Sequence, residues 1–383
     1  MVLTSIAALA LAIWLYLICA RGGFWLCRER DDVLPAVPPR WPRVTAVVPA
    51  RNEAEGIVES IGSLARQDYP GPFSIVLVDD DSEDNTAELA RRLAAGIGAD
   101  RGFALISSRG LASGWTGKLW AVRQGVEAAN NAVEPPDYLL LTDADIVHTP
   151  DSVRALVTRA ESGKYVLTSL MARLRCQSGW ERSHVPAFVY FFQMLYPFAR
   201  VNNPRSSVAA AAGGTVLIRR EALDRIGGIA AIKDALIDDV TLAAAVKKVG
   251  PIYLGHSGLA ASVRPYPHFV DIWRMVSRTA FTQLRYSFML LLLTLVGLTV
   301  VWLVPAEQIL FGRGVGFACG LAAFLLAAGS YIPTLRRYGR NSLWSLTLPL
   351  IALFYMAATV GSALKHWFGA GANWKSRAYG TEQ

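Results

Sequence analysis

Apolar residues form long runs at the two ends of the chain and only short runs between them. The first long run covers residues 2–20 and carries no charge. A helix of that length spans roughly 29 Å, which is enough to cross the hydrocarbon core of a bilayer. Three further runs, 288–304, 315–332 and 343–364, are also long and apolar. The pattern predicts one N-terminal and three C-terminal transmembrane helices.

The middle of the chain alternates short apolar stretches with amphipathic ones. Short apolar runs bounded by turn residues predict buried strands, and the amphipathic stretches predict helices. Strands that alternate with helices indicate βαβ units and a mostly parallel sheet covered on both faces. The predicted fold class is therefore a Rossmann-like α/β domain joined to transmembrane helices. The predicted strands are 44–48, 74–78, 104–107, 138–142, 166–169 and 216–218, and the main predicted helices are 54–67, 84–95, 118–130 and 237–248.

The same pattern divides the chain into five segments. Residues 1–21 hold the N-terminal transmembrane helix, and 22–43 form a linker stiffened by prolines. Residues 44–265 are the predicted α/β domain. Residues 266–286 are basic and amphipathic, which is typical of a helix that lies in the membrane interface. Residues 287–383 hold three transmembrane helices and a C-terminal tail.

The composition fits a soluble domain attached to a membrane. The chain has 383 residues, of which 53% are hydrophobic and 18% charged, and its mean hydropathy is +0.32. It is too apolar for an ordinary soluble enzyme and too charged for membrane helices alone. The net charge of +8 does not indicate a nucleic-acid partner, because no basic stripe is interleaved with aromatic residues. The four cysteines show no disulfide or zinc spacing, so a reducing compartment is expected.

The arginines predict the orientation of the chain. A cleaved signal peptide carries Lys or Arg before its apolar run, and none is present here. Instead Arg21, Arg28 and Arg30 follow the first run, and Arg336 and Arg340 lie between the last two. Positive residues are retained on the cytoplasmic side of a membrane. We therefore expect a multi-pass protein of a bacterial-type inner (plasma) membrane, with its α/β domain in the cytoplasm.

Two carboxylates close the most apolar predicted strand. Residues 138–142 are followed directly by Asp143, Ala144 and Asp145. In an open α/β sheet, ligands bind beyond the carboxyl ends of the strands, so both carboxylates are expected to face a ligand. Hard oxygen ligands suit Mg²⁺ or Mn²⁺, which one or two carboxylates and substrate phosphates commonly hold. A solvated turn is the alternative, since Asp is common at the end of a strand.

Further candidate residues occupy other strand ends and helix starts. The second predicted strand ends on Asp79 and Asp80, and Lys118 begins a helix, where a phosphate could bind. Gly213 and Gly214 precede the last predicted strand and let a ligand approach the backbone. Acidic groups can bind a base and a ribose, while a metal and basic side chains neutralise a departing diphosphate. Together these residues suggest a nucleotide-diphosphate ligand.

In this order, the motifs resemble those of family 2 glycosyltransferases of the GT-A fold. The resemblance covers about residues 44–286, and the number and placement of the apolar runs are similar to the hopanoid-biosynthesis-associated branch, a relative of ceramide glucosyltransferases. The stretches that carry it are Val47-Val48-Pro49-Ala50-Arg51-Asn52-Glu53, Val78-Asp79-Asp80-Asp81-Ser82-Glu83-Asp84-Asn85-Thr86, Gly114-Trp115-Thr116-Gly117-Lys118, Thr142-Asp143-Ala144-Asp145, Gly213-Gly214-Thr215, Asp238-Asp239 and Thr282-Gln283-Leu284-Arg285-Tyr286.

The resemblance implies a donor site for a UDP-sugar. Glu53 and Asp80 would bind the uridine, Asp143 the ribose or the donor sugar, and Asp145 a Mg²⁺ or Mn²⁺ ion. Asp81 stands where the family usually has Gly. The remaining donor-binding candidates are Pro49, Asp79, Lys118, Arg278 and Arg285, and either of the two arginines would clamp the diphosphate.

The resemblance also implies an inverting transfer to a membrane lipid. Asp239 stands at the position of the family's general base, while Gly213, Gly214 and Asp238 would contact the acceptor. Because Asp239 opens a predicted helix, the helix dipole is expected to favour its ionised form. The lipid would enter between the aromatic run 188–196 and the basic segment 266–286.

Three hypotheses follow from the sequence. The first is an inverting transfer of a sugar from a UDP-sugar to a membrane lipid, for which the resemblance suggests a hopanoid. The second is a glycosyltransferase for polyisoprenyl phosphate, an anionic acceptor that needs less base catalysis. The third is a membrane scaffold of the hopanoid pathway without catalysis, which the presence of Asp143, Asp145 and Asp239 argues against.

Overall fold

A computed structural model describes residues 1–32, 35–97 and 102–369, together with the backbone of 373–374 and 377–378. The chain divides into two compact units. The rest of the predicted C-terminal tail lies outside the described residues. The sheet unit comprises Glu29–Arg175, Arg200–Pro265 and Asn373–Gln383, and the helical unit comprises Met1–Arg28, Cys176–Ala199 and Tyr266–Ala372.

The helices predicted at 54–67, 84–95, 118–130 and 237–248 are present, whereas the helices Ser152–Ser162, Gly179–Leu195 and Phe198–Asn202 were not predicted. In chain order the helices are α1 Val2–Ala20, α2 Ile57–Ala65, α3 Thr86–Gly96, α4 Gly117–Asn130, α5 Ser152–Ser162, α6 Gly179–Leu195, α7 Phe198–Asn202, α8 Arg220–Arg225, α9 Asp238–Val246, α10 Phe269–Ser277, α11 Ala280–Gln283, α12 Phe288–Leu298, α13 Val304–Phe311, α14 Gly314–Arg337 and α15 Leu348–Trp367. Short 3₁₀ segments cover Phe24–Leu26, Ile229–Ile232 and Ser342–Thr347, and a π-helical turn covers Thr299–Leu303.

The sheet unit is built on an eight-stranded sheet with the order β3-β2-β1-β4-β7-β6-β8-β5. Its strands are β1 Val44–Ala50, β2 Phe73–Asp79, β3 Gly102–Ser107, β4 Tyr138–Thr142, β5 Ile146–His148, β6 Leu167–Arg173, β7 Thr215–Arg219 and β8 Ile252–Ser262. A separate two-stranded pairing joins Asn373–Trp374 with Arg377–Ala378.

The strands β3, β2, β1 and β4 are parallel neighbours, as predicted. Every residue of β1 and β4 is buried, because helices cover both faces of this part of the sheet. Such strands have continuous apolar sequences, which explains why the sequence pattern located them. The core around them includes Val44, Val48, Ile57, Ile61, Leu64, Ile75, Leu77, Tyr138, Leu140, Leu156 and Leu217.

The other half of the sheet differs from the sequence prediction. Strand β7 runs antiparallel to both β4 and β6, and β5 runs antiparallel to β8. Neither β5 nor β8 was predicted. Strand β5 has three residues, which is too short for a pattern, and β8 carries His256, Ser257 and two glycines within its length. The predicted α/β class with a mostly parallel sheet is confirmed, with four parallel and three antiparallel pairings among the eight strands.

The helical unit contains the predicted membrane helices. Within the part of the chain that the structure describes, four helices are long and apolar enough to cross a membrane: Val2–Ala20, Phe288–Phe311, Gly314–Arg337 and Ser342–Trp367. This agrees with one N-terminal and three C-terminal spans. The second span continues to Phe311, seven residues beyond the predicted end at 304, because a π-helical turn places Pro305 within the first turn of α13, where it needs no hydrogen-bonded amide.

Helix α6 belongs to the helical unit, although the sequence placed it inside the predicted α/β domain. Its Tyr190 is fully buried, and the Tyr190 hydroxyl lies 2.6 Å from Ser330 Oγ on α14. Trp14 on α1 and Trp302 meet edge to face in the same core, with ring centroids 4.9 Å apart. At least part of the aromatic run 188–196 therefore packs in the core of the helical unit.

The predicted linker 22–43 is only partly a connecting segment. Its Asp31 is buried and belongs to the sheet unit. The Asp31 carboxylate accepts hydrogen bonds from the Ser257 hydroxyl at 2.8 Å and from the Gly258 amide. These contacts attach the residues before β1 to the middle of β8.

Candidate active site

The carboxyl ends of the parallel strands meet at one edge of the sheet unit. In the β1–β2 register Ala50 is opposite Asp79, and in the β1–β4 register Val47 is opposite Leu141. The loops that follow β1, β2 and β4 therefore begin at the same edge, as the sequence predicts. Every predicted site residue except Arg278 and Arg285 lies in this unit.

The loops after β1 and β2 are tied together by Arg51, which sequence reasoning did not single out. Its side chain is 4% exposed, and Nη1 donates to the carbonyl oxygens of Asp80 and Asp81 at 2.5 and 2.8 Å. The Asn52 amide donates to Ser82 Oγ. Asn52 and Asp81 both adopt left-handed backbone conformations, with φ of 51° and 57°. The left-handed φ explains the glycine that the family resemblance leads one to expect in place of Asp81.

Asp79 and Asp80 are both buried at the end of β2, at 8% and 0% exposure. The Asp80 amide donates to the Ala50 carbonyl, and the Asp79 carbonyl accepts from the Ser108 amide. Among the described residues, Asp79 Oδ1 has no hydrogen-bond partner. A buried carboxylate oxygen without a partner is costly, so Asp79 is the member of this pair best suited to receive a ligand donor.

Lys118 joins two of the predicted site residues. Its Nζ lies 2.9 Å from Asp143 Oδ1, at the end of β4, and 3.0 Å from Asp238 Oδ2, at the start of α9. Burial alone would lower the pKa of Lys118, but the two carboxylates outweigh it and raise the pKa above its ordinary value. Burial raises the pKa of Asp143, which the Lys118 charge partly offsets. Lys118 is thus a fixed cation between donor-site and acceptor-site candidates.

Asp239 is held by two backbone amides. The Gly213 amide donates to Oδ2 at 2.9 Å, and the Val240 amide donates to Oδ1 at 2.8 Å. Burial and the neighbouring Asp238 nevertheless raise the pKa of Asp239 to about 6. Burial withdraws water from the carboxylate and Asp238 repels its charge, and these two effects outweigh Lys118 and the two amide hydrogen bonds, which favour the ionised form. Asp239 is consequently a stronger base than an ordinary aspartate.

The paired glycines bring the backbone close to this carboxylate. A Cβ atom on Gly213 would lie 3.4 Å from Asp239 Oδ2, and one on Gly214 would lie 2.9 Å from Ile146 Cδ1. The Gly214 carbonyl accepts from the Thr142 hydroxyl at 2.8 Å. Behind them, His148 Nε2 is 3.0 Å from Thr142 Oγ1. Burial lowers the pKa of His148 to about 4, so a neutral imidazole supports the turn.

Thr142, Gly213 and Asp239 line one cleft together with the Lys118 cluster. Asp143, Lys118, Asp238 and Asp239 supply its charged residues, and Pro49 lines it as well. The remaining lining is mostly apolar: Leu119, Val122, Leu141, Val216, Ile229, Ile232 and Leu242. A base, a cation and two further carboxylates thus share one cleft with apolar walls.

Arg264, which sequence reasoning missed, connects the other two donor-site candidates. Its Nη2 lies 2.6 Å from Glu53 Oε1, and its Nε lies 2.7 Å from Asp145 Oδ2. Ser262 Oγ also lies 3.2 Å from Asp145 Oδ2. Arg264 lies two residues after the end of β8, and because β8 has no clear apolar pattern, no sequence signal placed this residue at the ligand edge.

Glu53, which the resemblance assigns to the uridine, lies instead beside Asp145 on the same guanidinium, and the two carboxylates fit a divalent cation. No three His, Cys, Asp or Glu side chains of the described residues form a complete metal site. However, Glu53 and Asp145 converge on one positive group, since Arg264 bonds to both. Carboxylates of this kind, completed by substrate phosphates, are a usual Mg²⁺ ligand set. In this structure the Arg264 guanidinium neutralises both of them.

Arg278 and Arg285 belong to the helical unit. Arg278 caps the C-terminal end of α10, and Arg285 adopts a left-handed backbone conformation with φ of 52° between α11 and α12. Both side chains are exposed. Their role in binding a diphosphate stays a prediction.

Comparisons with known proteins agree with this architecture. Residues 45–227 match the family model described as glycosyl transferase family 2. An undecaprenyl-phosphate 4-deoxy-4-formamido-L-arabinose transferase of Pseudomonas aeruginosa is 32% identical over 141 residues, which cover 36% of this chain and 38% of the relative. The transferase of the same name from Proteus mirabilis is 28% identical over 142 residues, which cover 37% of this chain and 40% of the relative. The chain thus spans less than half the length of these relatives.

A solved structure resembles almost the whole chain. It is a mannosyltransferase from Pyrobaculum calidifontis in complex with GDP-Man and Mn²⁺, with a TM-score of 0.57 and 21% sequence identity. The match covers 94% of this chain and 98% of that protein. At this level of identity the likeness concerns the fold, and it assigns the sheet unit to the GT-A class.

Proposed function

We propose that the chain transfers a sugar from a nucleotide-diphosphate sugar to a membrane lipid, with inversion at the anomeric carbon. The premise is that residues 45–227 match the glycosyl transferase family 2 model. The observation that carries this proposal is the cleft in which the Asp239 carboxylate lies beside the Lys118–Asp143–Asp238 cluster. A carboxylate with a raised pKa can act as the base of an inverting displacement, and a fixed cation nearby can stabilise negative charge that develops in the reaction.

The proposed reaction is a single displacement. The acceptor hydroxyl attacks the anomeric carbon, Asp239 takes the hydroxyl proton, and the bond to the diphosphate breaks with its electron pair leaving on the phosphate oxygen. The Gly213 and Val240 amides fix the orientation of the Asp239 carboxylate, so one oxygen can accept the proton without moving. Asp238, held by Lys118, and the backbone of Gly213 and Gly214 would position the acceptor.

The donor site would use the residues at the ends of β1, β2 and β4. Asp79, whose buried Oδ1 is unpaired among the described residues, suits a ring N–H or a ribose hydroxyl of the nucleotide, and Asp80 and Pro49 would shape this pocket. Asp143 would bind the ribose or the sugar.

Asp145 would hold Mg²⁺ or Mn²⁺, which supplies positive charge to the leaving diphosphate. Arg278 and Arg285 remain the proposed basic residues for that diphosphate.

The acceptor is a lipid in both versions of the proposal. A neutral hydroxyl, such as that of a hopanoid, is supported by the raised pKa of Asp239, because an attacking hydroxyl must lose a proton. Polyisoprenyl phosphate is the second candidate, and the relatives named as undecaprenyl-phosphate transferases favour it. The domain would face the cytoplasm of a bacterial-type inner membrane, where nucleotide sugars are available.

The test is lipid mass spectrometry with the full-length protein in vesicles. UDP-sugars and GDP-mannose are supplied in turn, with hopanoid-containing or undecaprenyl-phosphate-containing vesicles, and the wild type is compared with Asp239→Asn. A sugar-bearing lipid formed only by the wild type supports the proposal, and the vesicle in which it forms identifies the acceptor class. No new lipid and no nucleotide diphosphate released with any donor would refute the transfer.

A further inference from the structure

Arg264 is fixed in place by the end of β8. The Val263 amide donates to the Asp145 carbonyl at 2.9 Å, and the Arg264 amide donates to Ser262 Oγ at 3.3 Å. A Cβ atom on Gly56 would lie 3.4 Å from Val263, so the loop after β1 packs against the same residues. The backbone therefore delivers the Arg264 side chain to the edge where two predicted donor loops meet.

The guanidinium bridges carboxylates from two different loops. Glu53 follows β1 and is 14% exposed, and Asp145 follows β4 and is 12% exposed, whereas the Arg264 side chain is 34% exposed. Mostly buried carboxylates need a positive partner. The partner itself is accessible to solvent, in contrast to Arg51, which is 4% exposed. Arg264 can therefore leave its position without unpacking the core.

The two carboxylates that Arg264 neutralises are suited to a divalent cation. A metal ion and a guanidinium compete for the same oxygens, because both are attracted by the same negative charge. A nucleotide diphosphate would favour the exchange in two ways. Its phosphates provide further oxygen ligands for the metal, and they offer the released guanidinium a bidentate acceptor.

We infer that Arg264 is an internal counter-ion that alternates with a divalent cation at Glu53 and Asp145. Without nucleotide, Arg264 holds the site and metal binds weakly. With nucleotide, the metal takes the carboxylates and Arg264 turns to the diphosphate. Metal and nucleotide therefore strengthen each other's binding by the same factor, as linkage requires. This inference rests on the donor site of the proposed function.

The experiment measures Mn²⁺ binding to the full-length protein in detergent, by electron paramagnetic resonance of the free ion, with and without UDP. Arg264→Gln is expected to bind Mn²⁺ without UDP at least about tenfold more tightly than the wild type, because a neighbouring positive charge is removed. Adding Asp145→Asn to this variant should abolish the gain. The increase of Mn²⁺ affinity caused by UDP should be smaller in Arg264→Gln than in the wild type.

Two further variants test whether the effect is specific to Arg264 and to its two separated donors. Arg219→Gln is the matched control, since Arg219 is also 34% exposed and lies 2.7 Å from Glu161 outside the donor loops, and it should leave Mn²⁺ binding unchanged. Arg264→Lys retains one positive charge but not two separated donors, and should gain less than Arg264→Gln. It also provides the comparison if the Gln variant does not fold. Equal Mn²⁺ affinity in the wild type and the folded Arg264 variants overturns the inference.

The result is separable from the proposed function. If no sugar is transferred under any condition, but Arg264→Gln gains a Mn²⁺ site that Asp145→Asn removes, the inference stands and the transfer reaction fails. If sugar is transferred but Mn²⁺ binding ignores Arg264, the inference alone fails.

Discussion

At the scale of single residues, the environment of Asp239 combines two opposing influences. Two backbone amides stabilise its ionised form, while burial and the Asp238 charge raise its pKa. A helix start alone would favour a weak base. The balance leaves a carboxylate that is ionised at neutral pH yet accepts a proton more readily than an ordinary aspartate does, which suits a general base.

Asp239→Asn should reduce the transfer rate by about 10²–10⁴-fold and leave donor affinity nearly unchanged. The amide keeps the shape of the side chain but cannot accept the proton, and only the transition state uses that ability. Transfer rate and UDP-sugar affinity are measured for Asp239→Asn and Asp238→Asn in parallel. A variant that transfers sugar at the wild-type rate, or that fails only in donor binding, would show that the base lies elsewhere.

The pH dependence should follow the same carboxylate. With a pKa of about 6, kcat/KM is expected to rise about tenfold per pH unit below pH 6 and to level off above it. The residual rate of Asp239→Asn should lack this inflection. Because the folded chain binds this proton more tightly than the unfolded chain does, the contribution of Asp239 to stability should fall as the pH rises from 3.8 to about 6.

The left-handed backbone conformation of Asp81 should lower the stability of the folded chain. Its φ of 57° strains a side chain with a Cβ atom by about 1 kcal/mol relative to Gly. Asp81→Gly should therefore be more stable than Asp81→Ala by about that amount, although both lose the carboxylate. Thermal unfolding of the two variants provides the comparison, and equal melting temperatures would show that the strain is absent.

At the scale of elements, the loops after β1 and β2 depend on one buried guanidinium. Arg51 bonds to the carbonyls of Asp80 and Asp81 and lies 3.2 Å from Glu83. Its removal takes away the hydrogen bonds to these carbonyls, and the loss of a partner by a buried polar group costs about 1–3 kcal/mol. The loops that would form the nucleotide pocket are therefore held by a residue that need not touch the nucleotide.

Arg51→Met should lower the free energy of unfolding by about 2–4 kcal/mol and weaken UDP binding. Arg92→Met is the control, because Arg92 is 74% exposed and its salt bridge is with Glu88, on the same helix. An exposed pair of this kind contributes at most about 0.5 kcal/mol. Denaturant unfolding and UDP titration of both variants make the comparison. Equal effects in the two variants would contradict the proposed role of Arg51.

The elements also explain how far the sequence could predict the site. Strands β1, β2 and β4 are buried on both faces, so their apolar runs placed Asp79 and Asp143 correctly at strand ends. Arg264 was missed because β8 mixes glycines and polar residues. The bridge from Lys118 to Asp238 was also missed, because it joins residues 120 positions apart. Periodicity reports the burial of one element and contains nothing about which side chains from distant elements meet.

At the scale of the whole molecule, the apolar helices predict on which side of the membrane each connecting loop lies. Arg336 and Arg337 end the third candidate span, and positive residues favour the cytoplasmic side. An alkaline phosphatase reporter fused after Gly312 should be active, and one fused after Gly339 should be inactive. A cytoplasmic reporter at the same two positions provides the control with the opposite expectation. The reverse pattern would place the sheet unit outside the cytoplasm.

Because α6 is part of the helical unit, the order of synthesis along the chain limits when each unit can fold. The chain enters the sheet unit after Arg28, leaves it at Cys176, returns at Arg200 and leaves again at Tyr266. During translation, α6 therefore leaves the ribosome before α14 and α15 have been synthesised. Tyr190 and Phe191 of α6 pack against these two later helices. Strand β8, which neighbours both β6 and β5, also emerges late. Neither unit can complete its fold during most of translation, and a contiguous fragment cut at 44–265 would carry α6 with its aromatic face exposed to water.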